Sequence, residues 1–185
     1  MTMHERICIF NELMANAFNP KDVEILGENL SAMGFFTAPA SLTHNSNHEG
    51  GLFEHSYKVT EALLDLTDKL GLQWSDPRSP YVVGMFHDLC KCDAYIATEQ
   101  GYERYRDQSL TGHGDKSVIL AQHLIALTHE GFQYMTDEEI LCIRWHMGAF
   151  GDKSNWNAYD CAIAEWPNVL YTHTADMIAS QIWGY

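Results

Sequence analysis

The sequence lacks a hydrophobic run that could cross a membrane, because no stretch of about eighteen consecutive apolar residues occurs in it. It also lacks a recognisable leader. The N-terminal residues, Met1 to Arg6, are not a positively charged segment followed by an apolar stretch and a cleavage site. Both absences predict a protein of the cytoplasm that has no membrane partner.

Cysteine is scarce, and its number is odd. Five scattered cysteines in a chain of 185 residues do not make a disulfide framework. Cys90 and Cys92 form a Cys-x-Cys pair that would suit a zinc-thiolate site, but no second cysteine pair stands at zinc-site spacing. We therefore expect reduced, partly buried thiols.

Positive charge is also in short supply. The chain has 11 Lys and Arg against 25 Asp and Glu, a formal net charge of −14. Affinity for nucleic acid rests largely on Lys and Arg that displace counterions, so this balance disfavours an extended nucleic acid as partner. An acidic protein can still bind a small phosphate if a metal ion supplies local positive charge.

Apolar residues at helical spacing are abundant. Hydrophobic residues make up 46% of the chain, which predicts one globular domain with a substantial core. Tyr95 to Arg106 predicts a short β-hairpin or an ordered loop. The fold class is therefore all-α: a compact bundle of about seven helices with at most one short β-hairpin. The predicted helices are residues 5–18, 20–33, 52–70, 80–89, 114–129, 136–146 and 167–183.

Several ionisable residues occupy positions where the helical period predicts an apolar side chain. They are His55, His87, His146 and Asp176. An isolated imidazole or carboxylate in a core costs several kcal/mol unless it is paired, hydrogen-bonded or bound to a metal. One such residue alone would be a satisfied core or surface histidine, but a shared ion explains all of them together. Imidazole and carboxylate ligands suit Mn, Fe, Zn, Mg or Ni, and the sequence does not choose among these.

The adjacent pair His87-Asp88 strengthens this interpretation. Adjacent helical residues point about 100° apart, so two short side chains can approach one ion from neighbouring directions. Lys91 follows Asp88 by three residues and returns to the same side of the helix. We expect Lys91 to contact a phosphate oxygen or a water on the metal, whereas alone it would be a solvated surface charge.

In order, these residues resemble the HD-domain superfamily of metal-dependent phosphohydrolases, which has a His, then His-Asp, then a distant Asp. The resemblance implies that His55, His87, Asp88 and Asp176 bind a metal ion. It extends over about three quarters of the chain. The matching stretches are Gly50-Gly51-Leu52-Phe53-Glu54-His55-Ser56, Met85-Phe86-His87-Asp88-Leu89-Cys90-Lys91 and Thr174-Ala175-Asp176-Met177-Ile178-Ala179-Ser180.

The same resemblance implies a second metal site. His113 and His146 fall where binuclear members of the superfamily bind a second ion, with Asp88 as the bridge. The chain departs from the cyclic-dinucleotide-cleaving branch, because Met147 stands where that branch has a further His and no Gly-Tyr-Pro signature is present. The sequence therefore predicts one divalent ion and leaves a second one open.

The stretch Phe35–Ser41, leading into the Gly-Gly-Leu-x-x-His motif, is similar to the HD exoribonucleases of Gram-positive bacteria. Those exonucleases carry an additional OB-fold that holds single strands, and this chain has none. His44 and His48 precede the glycine pair. They either face the cleft or are surface loop residues.

The function that we predict is hydrolysis of a phosphomonoester or phosphodiester of a nucleotide or other small phosphorylated molecule. Asp88, Lys91, His113 and His146 are the predicted catalytic residues. Two alternatives stay open: an exonuclease-like activity on short single-stranded RNA or DNA, and a non-catalytic metal- or nucleotide-binding regulatory module.

For the organisation of the chain, the resemblance implies one HD domain over residues 1–185. Residues 1–40 would form a helical leader that packs on a metal-binding core of residues 50–185. A homodimer is also open, because aromatic residues near the C-terminus suit either a dimer face or the core. These aromatic residues are Trp166, Tyr171, Trp183 and Tyr185.

Overall fold

The computed structural model describes residues 1–42, 46–128, 134–148 and 153–185. A hairpin of two antiparallel strands, β1 (Tyr95–Thr98) and β2 (Gly101–Arg104), forms the one sheet of these ranges. The predicted all-α fold class with a single short hairpin is confirmed. The described ranges contain eight α-helices: α1 (Met3–Met14), α2 (Pro20–Ala32), α3 (Gly51–Leu70), α4 (Ser79–Phe86), α5 (His113–Leu127), α6 (Asp137–Arg144), α7 (Trp156–Glu165) and α8 (Asn168–Met177).

Local sequence signals fix where several helices begin. Thr2 and Glu5 form a capping box at the start of α1, and Thr136 and Glu139 form another at the start of α6. Asn19 caps α2 by accepting a hydrogen bond from the backbone N–H of Asp22. Each cap satisfies backbone N–H groups that the first helical turn leaves without partners.

The long helix α3 is the centre of the packing, since it contacts α1, α4 and α8. One hydrophobic cluster joins residues of α1 and α2 to those of the later helices. Phe36, for example, lies edge-on to Phe10 of α1 and also contacts Phe53 of α3. Arg6 is buried in the same region, where its guanidinium donates to the carbonyl oxygens of Phe36 (3.0 Å) and Glu49 (2.6 Å).

The structure differs from the sequence prediction in the second half of the chain. Residues 156–165, which gave no helical signal, form α7; only Tyr159 and Ala162 of this helix are buried, so its apolar stripe is very short. The predicted helices 80–89 and 136–146 both end earlier, at Phe86 and Arg144. The predicted end of α5 at residue 129 lies outside the described residues.

The chain between α4 and α5 carries the hairpin. A 3-10 turn, Leu89–Lys91, leads into β1, and Tyr95 pairs with Arg104 in the antiparallel register. A π-helical turn, Ile178–Ile182, continues α8. Among the described residues, no helix combines the length and the apolar character needed to span a membrane.

Candidate metal centre

Ionisable side chains from distant parts of the sequence lie around the carboxylate of Asp88. α3 carries His55 and α8 carries Asp176, whereas the remaining members lie at helix ends or in turns. The structure therefore brings together all the residues that the sequence predicts as metal ligands. They are His55, His87, Asp88, His113, His146 and Asp176.

The backbone bends at the His-Asp pair. His87 caps α4, and Asp88 (φ −109°, ψ 19°) has left the helical conformation before the 3-10 turn begins. The prediction that both residues lie within one helix is therefore wrong. With this bend, Nε2 of His87 and Oδ2 of Asp88 face the same point at a separation of 3.4 Å.

His55, His87 and Asp176 form what we call the first half of the centre. Nε2 of His55 lies 3.3 Å from Nε2 of His87, 3.3 Å from Oδ1 of Asp176 and 3.5 Å from Oδ2 of Asp88. His55 is 5% exposed and His87 is fully buried. Ligand atoms of the three residues lie within 4.8 Å of one another, which is close enough for them to share a divalent ion.

His113, His146 and Cys90 form the second half. Oδ1 of Asp88 lies 2.9 Å from Nε2 of His113 and 3.6 Å from Nε2 of His146. Sγ of Cys90 lies 3.2 Å from Nδ1 of His113. Two further groups, His87-Asp88-His146 and Asp88-Cys90-His113, also meet the distance required for ion binding. Asp88 thus faces the first half with Oδ2 and the second half with Oδ1.

Two glycines permit the close packing that assembles the halves. A Cβ on Gly84 would lie 2.6 Å from Oγ1 of Thr60, so the absence of a side chain lets α4 approach α3 and brings His87 to His55. A Cβ on Gly114 would lie 2.1 Å from the carbonyl oxygen of Arg144. The start of α5 can therefore touch the end of α6, which places His113 beside His146.

Backbone carbonyls set the orientation of most of the imidazoles. Nδ1 of His87 lies 2.8 Å from the carbonyl oxygen of Gly84, and Nδ1 of His146 lies 2.6 Å from that of Ile143. A carbonyl oxygen only accepts, so each Nδ1 carries the proton and each Nε2 presents a lone pair to the centre. Nδ1 of His55 donates in the same way to the backbone oxygen of Tyr185, 3.2 Å away.

Two polar atoms of the centre, Oδ1 of Asp88 and Nε2 of His146, are buried and make no well-aligned hydrogen bond to a described residue, although Nε2 of His113 lies 2.9 Å from that Oδ1. A buried polar atom left unpaired costs about 1–3 kcal/mol. These atoms lie 3.6 Å apart and point at the same space, so a shared cation would satisfy both. Imidazole nitrogen and carboxylate oxygen are the donors that divalent transition metals take, and the residues present therefore fit such an ion.

The charges of the centre are strongly coupled. Burial alone would raise the pKa of Asp88, but Lys91 and His87 hold it well below its usual value. Burial would likewise raise the pKa of Asp176, yet the contact with His55 and the proximity of His87 bring it to about 2. Burial lowers the pKa of His87. Both acids are thus anionic and His87 is neutral at pH 7, the protonation states of metal ligands.

Lys91 lies where the sequence predicts it, on the same side as Asp88. Its Nζ is 2.6 Å from Oδ2 of Asp88. Burial would lower the pKa of Lys91, but the neighbouring carboxylate raises it, so the side chain stays cationic. This ammonium group is also accessible, because it lines both cavities that open beside the centre.

These two cavities lie on either side of Lys91. One, of about 440 Å³, contains His55 and Asp176 and is called the first cavity; the other, of about 490 Å³, contains Cys90 and His113 and is called the second cavity. Both are within the range of small-molecule sites. A larger cavity of about 560 Å³ beside Lys58 contains no member of the centre, and we place no chemistry there.

Some residues at the centre were not found from the sequence. Nδ1 of His173 lies 2.8 Å from the carbonyl oxygen of His146, and His173 lines the first cavity. The available signal was its position one turn before Asp176 on α8. Cys90 was expected to be only a buried thiol, and its contact with His113 depends on the tertiary structure. Ser117, whose Oγ accepts from the backbone N–H of Cys90 at 3.1 Å, could not have been predicted either.

Two other sequence expectations concern the surroundings of the centre. His44 lies outside the described residues, and His48 is an exposed loop residue that contacts Glu54 at 3.0 Å rather than the cluster. Of the C-terminal aromatic residues, Trp166 and Tyr171 pack against the core. Trp183 and Tyr185 are exposed by 41% and 38%.

Comparisons of this chain with models of protein families, with curated proteins and with solved structures find no match. The likeness to HD phosphohydrolases thus rests on the three sequence motifs described above. What the structure adds is independent of that likeness: the chain contains groups of buried histidine, aspartate and cysteine side chains that are close enough together to hold a divalent metal ion.

Proposed function

We propose that the protein is a metal-dependent phosphohydrolase of the HD type, which cleaves a phosphate ester of a nucleotide or another small molecule. The observation that carries the proposal is the arrangement around Asp88. Both of its carboxylate oxygens face imidazole nitrogens, and one oxygen and one nitrogen are buried without a well-aligned hydrogen bond. A shared ion would satisfy both atoms at once, which a cluster of side chains does in this geometry only through the contact of Asp88 with His113.

The ligands of the ion are divided between the two halves. His55, His87, Asp88 and Asp176 would hold a first ion, and Asp88, His113 and His146 would hold a second. When bound, such an ion supplies a Lewis acid that neutralises charge on phosphoryl oxygens and lowers the pKa of a water molecule.

Lys91 supplies the positive charge that the protein itself offers to the substrate. Its Nζ contacts Asp88 and also reaches both cavities, so a phosphate beside the centre can accept a hydrogen bond from it. An ammonium group in this place favours the increased negative charge of the transition state. Lys91 therefore orients and neutralises the phosphate.

The two histidines of the second half have different surroundings and different roles. His146 is fully buried, with Nδ1 bound to a carbonyl, so its Nε2 serves only as a ligand. The side chain of His113 is 36% exposed and lines the second cavity. When it does not hold an ion, His113 is the imidazole that can donate a proton to the leaving group.

The size and charge of the protein favour a small substrate. The cavities hold a nucleotide-sized molecule, and the formal net charge of −14 repels a long polyanion. Cleavage of short single strands at their ends stays the second candidate within the same chemistry, because the first cavity, which His173 and Ser180 line, is not closed to solvent.

The proposal is tested by a screen of p-nitrophenyl phosphate, bis-p-nitrophenyl phosphate and nucleotides with Mn²⁺, Fe²⁺, Co²⁺, Ni²⁺, Zn²⁺ and Mg²⁺. We expect turnover that depends on the added metal and disappears with a chelator. Lys91→Ala should lower kcat/KM by about tenfold to a hundredfold while the metal content stays unchanged.

Lys69→Ala is the matched control, because Lys69 is an exposed lysine of α3 that pairs with Asp65, away from the centre. Hydrolysis that persists in chelator-treated protein would contradict the proposal. Tight nucleotide binding without turnover across all the metals would favour the regulatory module instead.

A further inference from the structure

The second cavity differs in charge from the rest of the protein. Three cationic side chains line it, those of Lys91, Arg104 and Lys116, and its lining of described residues contains no Asp or Glu. The whole chain, by contrast, has 11 basic residues and 25 acidic ones. A cavity lined by positive charge in such an acidic protein favours the binding of an anion.

The three cations are not equivalent. Lys91 pairs with Asp88 at 2.6 Å, and the buried Lys116 pairs with Asp93 at 2.5 Å. Arg104 has no ion-pair partner among the described residues. Its guanidinium is therefore the group of this cavity whose charge and donors are available to a ligand.

The hairpin fixes Arg104 at the cavity. Arg104 pairs with Tyr95 in the register of β1 and β2, and both residues line the cavity. An isolated two-stranded hairpin is only marginally stable, so tertiary contacts must hold this one. The ion pair of Asp93 with Lys116 of α5 provides one of them, and the side-chain amide of Gln108 closes the base of the hairpin by donating to the carbonyl oxygen (2.8 Å) and Oδ1 (3.0 Å) of Asp93.

We propose that the second cavity binds a second phosphate group of the substrate, with Arg104 as its principal ligand. The inference rests on the proposed function, because His113 and Lys91, which would contact the scissile phosphate, line the same cavity as Arg104. A guanidinium presents a planar pair of donors that match two phosphate oxygens. The preferred substrate is then a small phosphate ester with two phosphate groups, such as a nucleoside bisphosphate.

The first test measures binding and needs no turnover. Isothermal titration compares orthophosphate with methylenediphosphonate, a non-hydrolysable anion with two phosphorus atoms, for the metal-loaded protein and for Arg104→Gln. Arg104→Gln should weaken the binding of methylenediphosphonate by about tenfold or more and leave that of orthophosphate within about twofold. Arg104→Lys, which keeps the charge without the paired donors, should lie in between.

Arg106→Gln is the matched control. Arg106 is an exposed arginine two residues farther along the same segment, and it does not line the cavity. An equal loss for both anions in Arg104→Gln, or an equal loss of methylenediphosphonate in Arg106→Gln, would overturn the proposal, because either result means a general charge effect. Unchanged binding in Arg104→Gln would overturn it as well.

The second test uses turnover. Adenosine 3′,5′-bisphosphate and adenosine 5′-monophosphate are compared as substrates, and Arg104→Gln should raise KM about tenfold for the bisphosphate alone. If Arg104→Gln also raises KM for a short oligonucleotide, the second phosphate group that Arg104 binds is the adjacent phosphate of a strand. If no ester is hydrolysed with any metal but the binding difference persists, the proposed function fails and the anion site stands. If both adenosine nucleotides are hydrolysed with KM unchanged in Arg104→Gln, the anion site fails and the proposed function stands.

Discussion

The two halves of the metal centre are built in different ways. In the first half, His55 projects from α3, Asp176 is the next-to-last residue of α8, which a π-helical turn continues, and His87 caps α4 with its Nδ1 bound to the carbonyl oxygen of Gly84. In the second half, His113 is the first residue of α5, and His146 lies in the turn after α6. Two of the three residues of the first half, His55 and Asp176, therefore lie on helical backbone that continues on both sides, whereas His113 and His146 lie at a helix start and in a turn.

The hydrogen bonds that Nδ1 of each imidazole makes also differ between the two halves. Carbonyl oxygens fix the tautomers of His55 and His87, whereas the contact of His113 is with a thiol, which can either donate or accept. Burial, followed by the nearby Asp88, raises the pKa of Cys90 to about 12, so the thiol is protonated at pH 7. The first half is thus preorganised for an ion, while the second half retains a histidine whose tautomer is not imposed.

From this difference we expect the first half to bind metal more tightly than the second. Donors that are buried and already oriented lose little freedom on binding, so the first half should hold its ion more firmly. Asp88 belongs to both halves, and its Oδ1 and Oδ2 face opposite sides. Substitutions of Asp88, of one histidine from each half and of Cys90 test this difference.

The largest effect is expected for Asp88→Asn, because this substitution weakens the ligand set of both halves at once. We expect bound metal to fall to trace levels and kcat/KM to fall by about a thousandfold or more. Elemental analysis and steady-state kinetics measure the two effects, and circular dichroism verifies that the variant is folded. A folded variant that keeps its full metal content would show that the carboxylate is not a ligand.

Replacing one histidine from each half separates their contributions. His55→Gln should lower metal content and reduce kcat/KM by about a hundredfold, while His113→Gln should retain the first ion and lose less activity. His123→Gln is the control, because His123 is an exposed histidine of α5. Equal loss of metal in His55→Gln and His113→Gln would contradict the distinction between the halves.

Acid should lower the free energy of unfolding of the metal-free protein, because of His87 and Asp176 in the first half. The pKa of His87 is below its ordinary 6.5 because of burial, and that of Asp176 is about 2 instead of 3.8. The unfolded chain therefore binds these protons first, so the free energy of unfolding falls as pH falls. The loss due to His87 begins as pH drops below about 6.5, and that due to Asp176 reaches about 2 kcal/mol between pH 3.8 and about 2.

Urea unfolding of chelator-treated protein at pH 8, 6 and 5, continued to pH 3 and below, measures this dependence. In Asp176→Asn the loss below pH 3.8 should be smaller by the contribution of Asp176, with that of Asp88 remaining, whereas Asp160→Asn, which changes an exposed residue of α7, should keep the whole loss. A free energy of unfolding that stays constant or rises from pH 8 to pH 5 would contradict the assignment of a neutral, buried His87.

The smallest effect is expected for Cys90→Ala, which removes the thiol contact of His113 without changing a residue of the first half. Loss of a group that orients a metal ligand typically costs about tenfold in affinity or activity. Cys92→Ala, a change at the other cysteine of the Cys-x-Cys pair, should have no such effect. The two variants are compared by titration of metal into the apo protein, and equal affinities would remove Cys90 from the centre.

The helical fold could be predicted from periodicity, which also singled out His55, His87, His146 and Asp176; Asp88 followed from its place beside His87, and His113 from the family resemblance alone. Leu63 and Val59 repeat at helical spacing on α3, and His55 continues their stripe. The predicted start of α6 rests on a capping box that the structure contains at Thr136 and Glu139. Such local signals act over a few residues and can be read without the fold.

Features that depend on tertiary contacts could not be predicted. The close approach of α4 to α3 at Gly84 and the contact of Cys90 with His113 both join residues more than 20 positions apart. The helix α7 has only Tyr159 and Ala162 to mark its buried face, which is too short a pattern. In the sequence nothing distinguishes Arg104 from other residues of the hairpin, because its role depends on the cavity beside His113.

The central claim is that the cluster around Asp88 is a metal site, and elemental analysis of protein purified without chelator tests it most directly. We expect at least one divalent transition metal ion per folded chain, which is lost in Asp88→Asn and retained in His123→Gln. Folded protein that contains only trace metal, and that takes up none from added Mn²⁺, Fe²⁺, Co²⁺, Ni²⁺ or Zn²⁺, would contradict it.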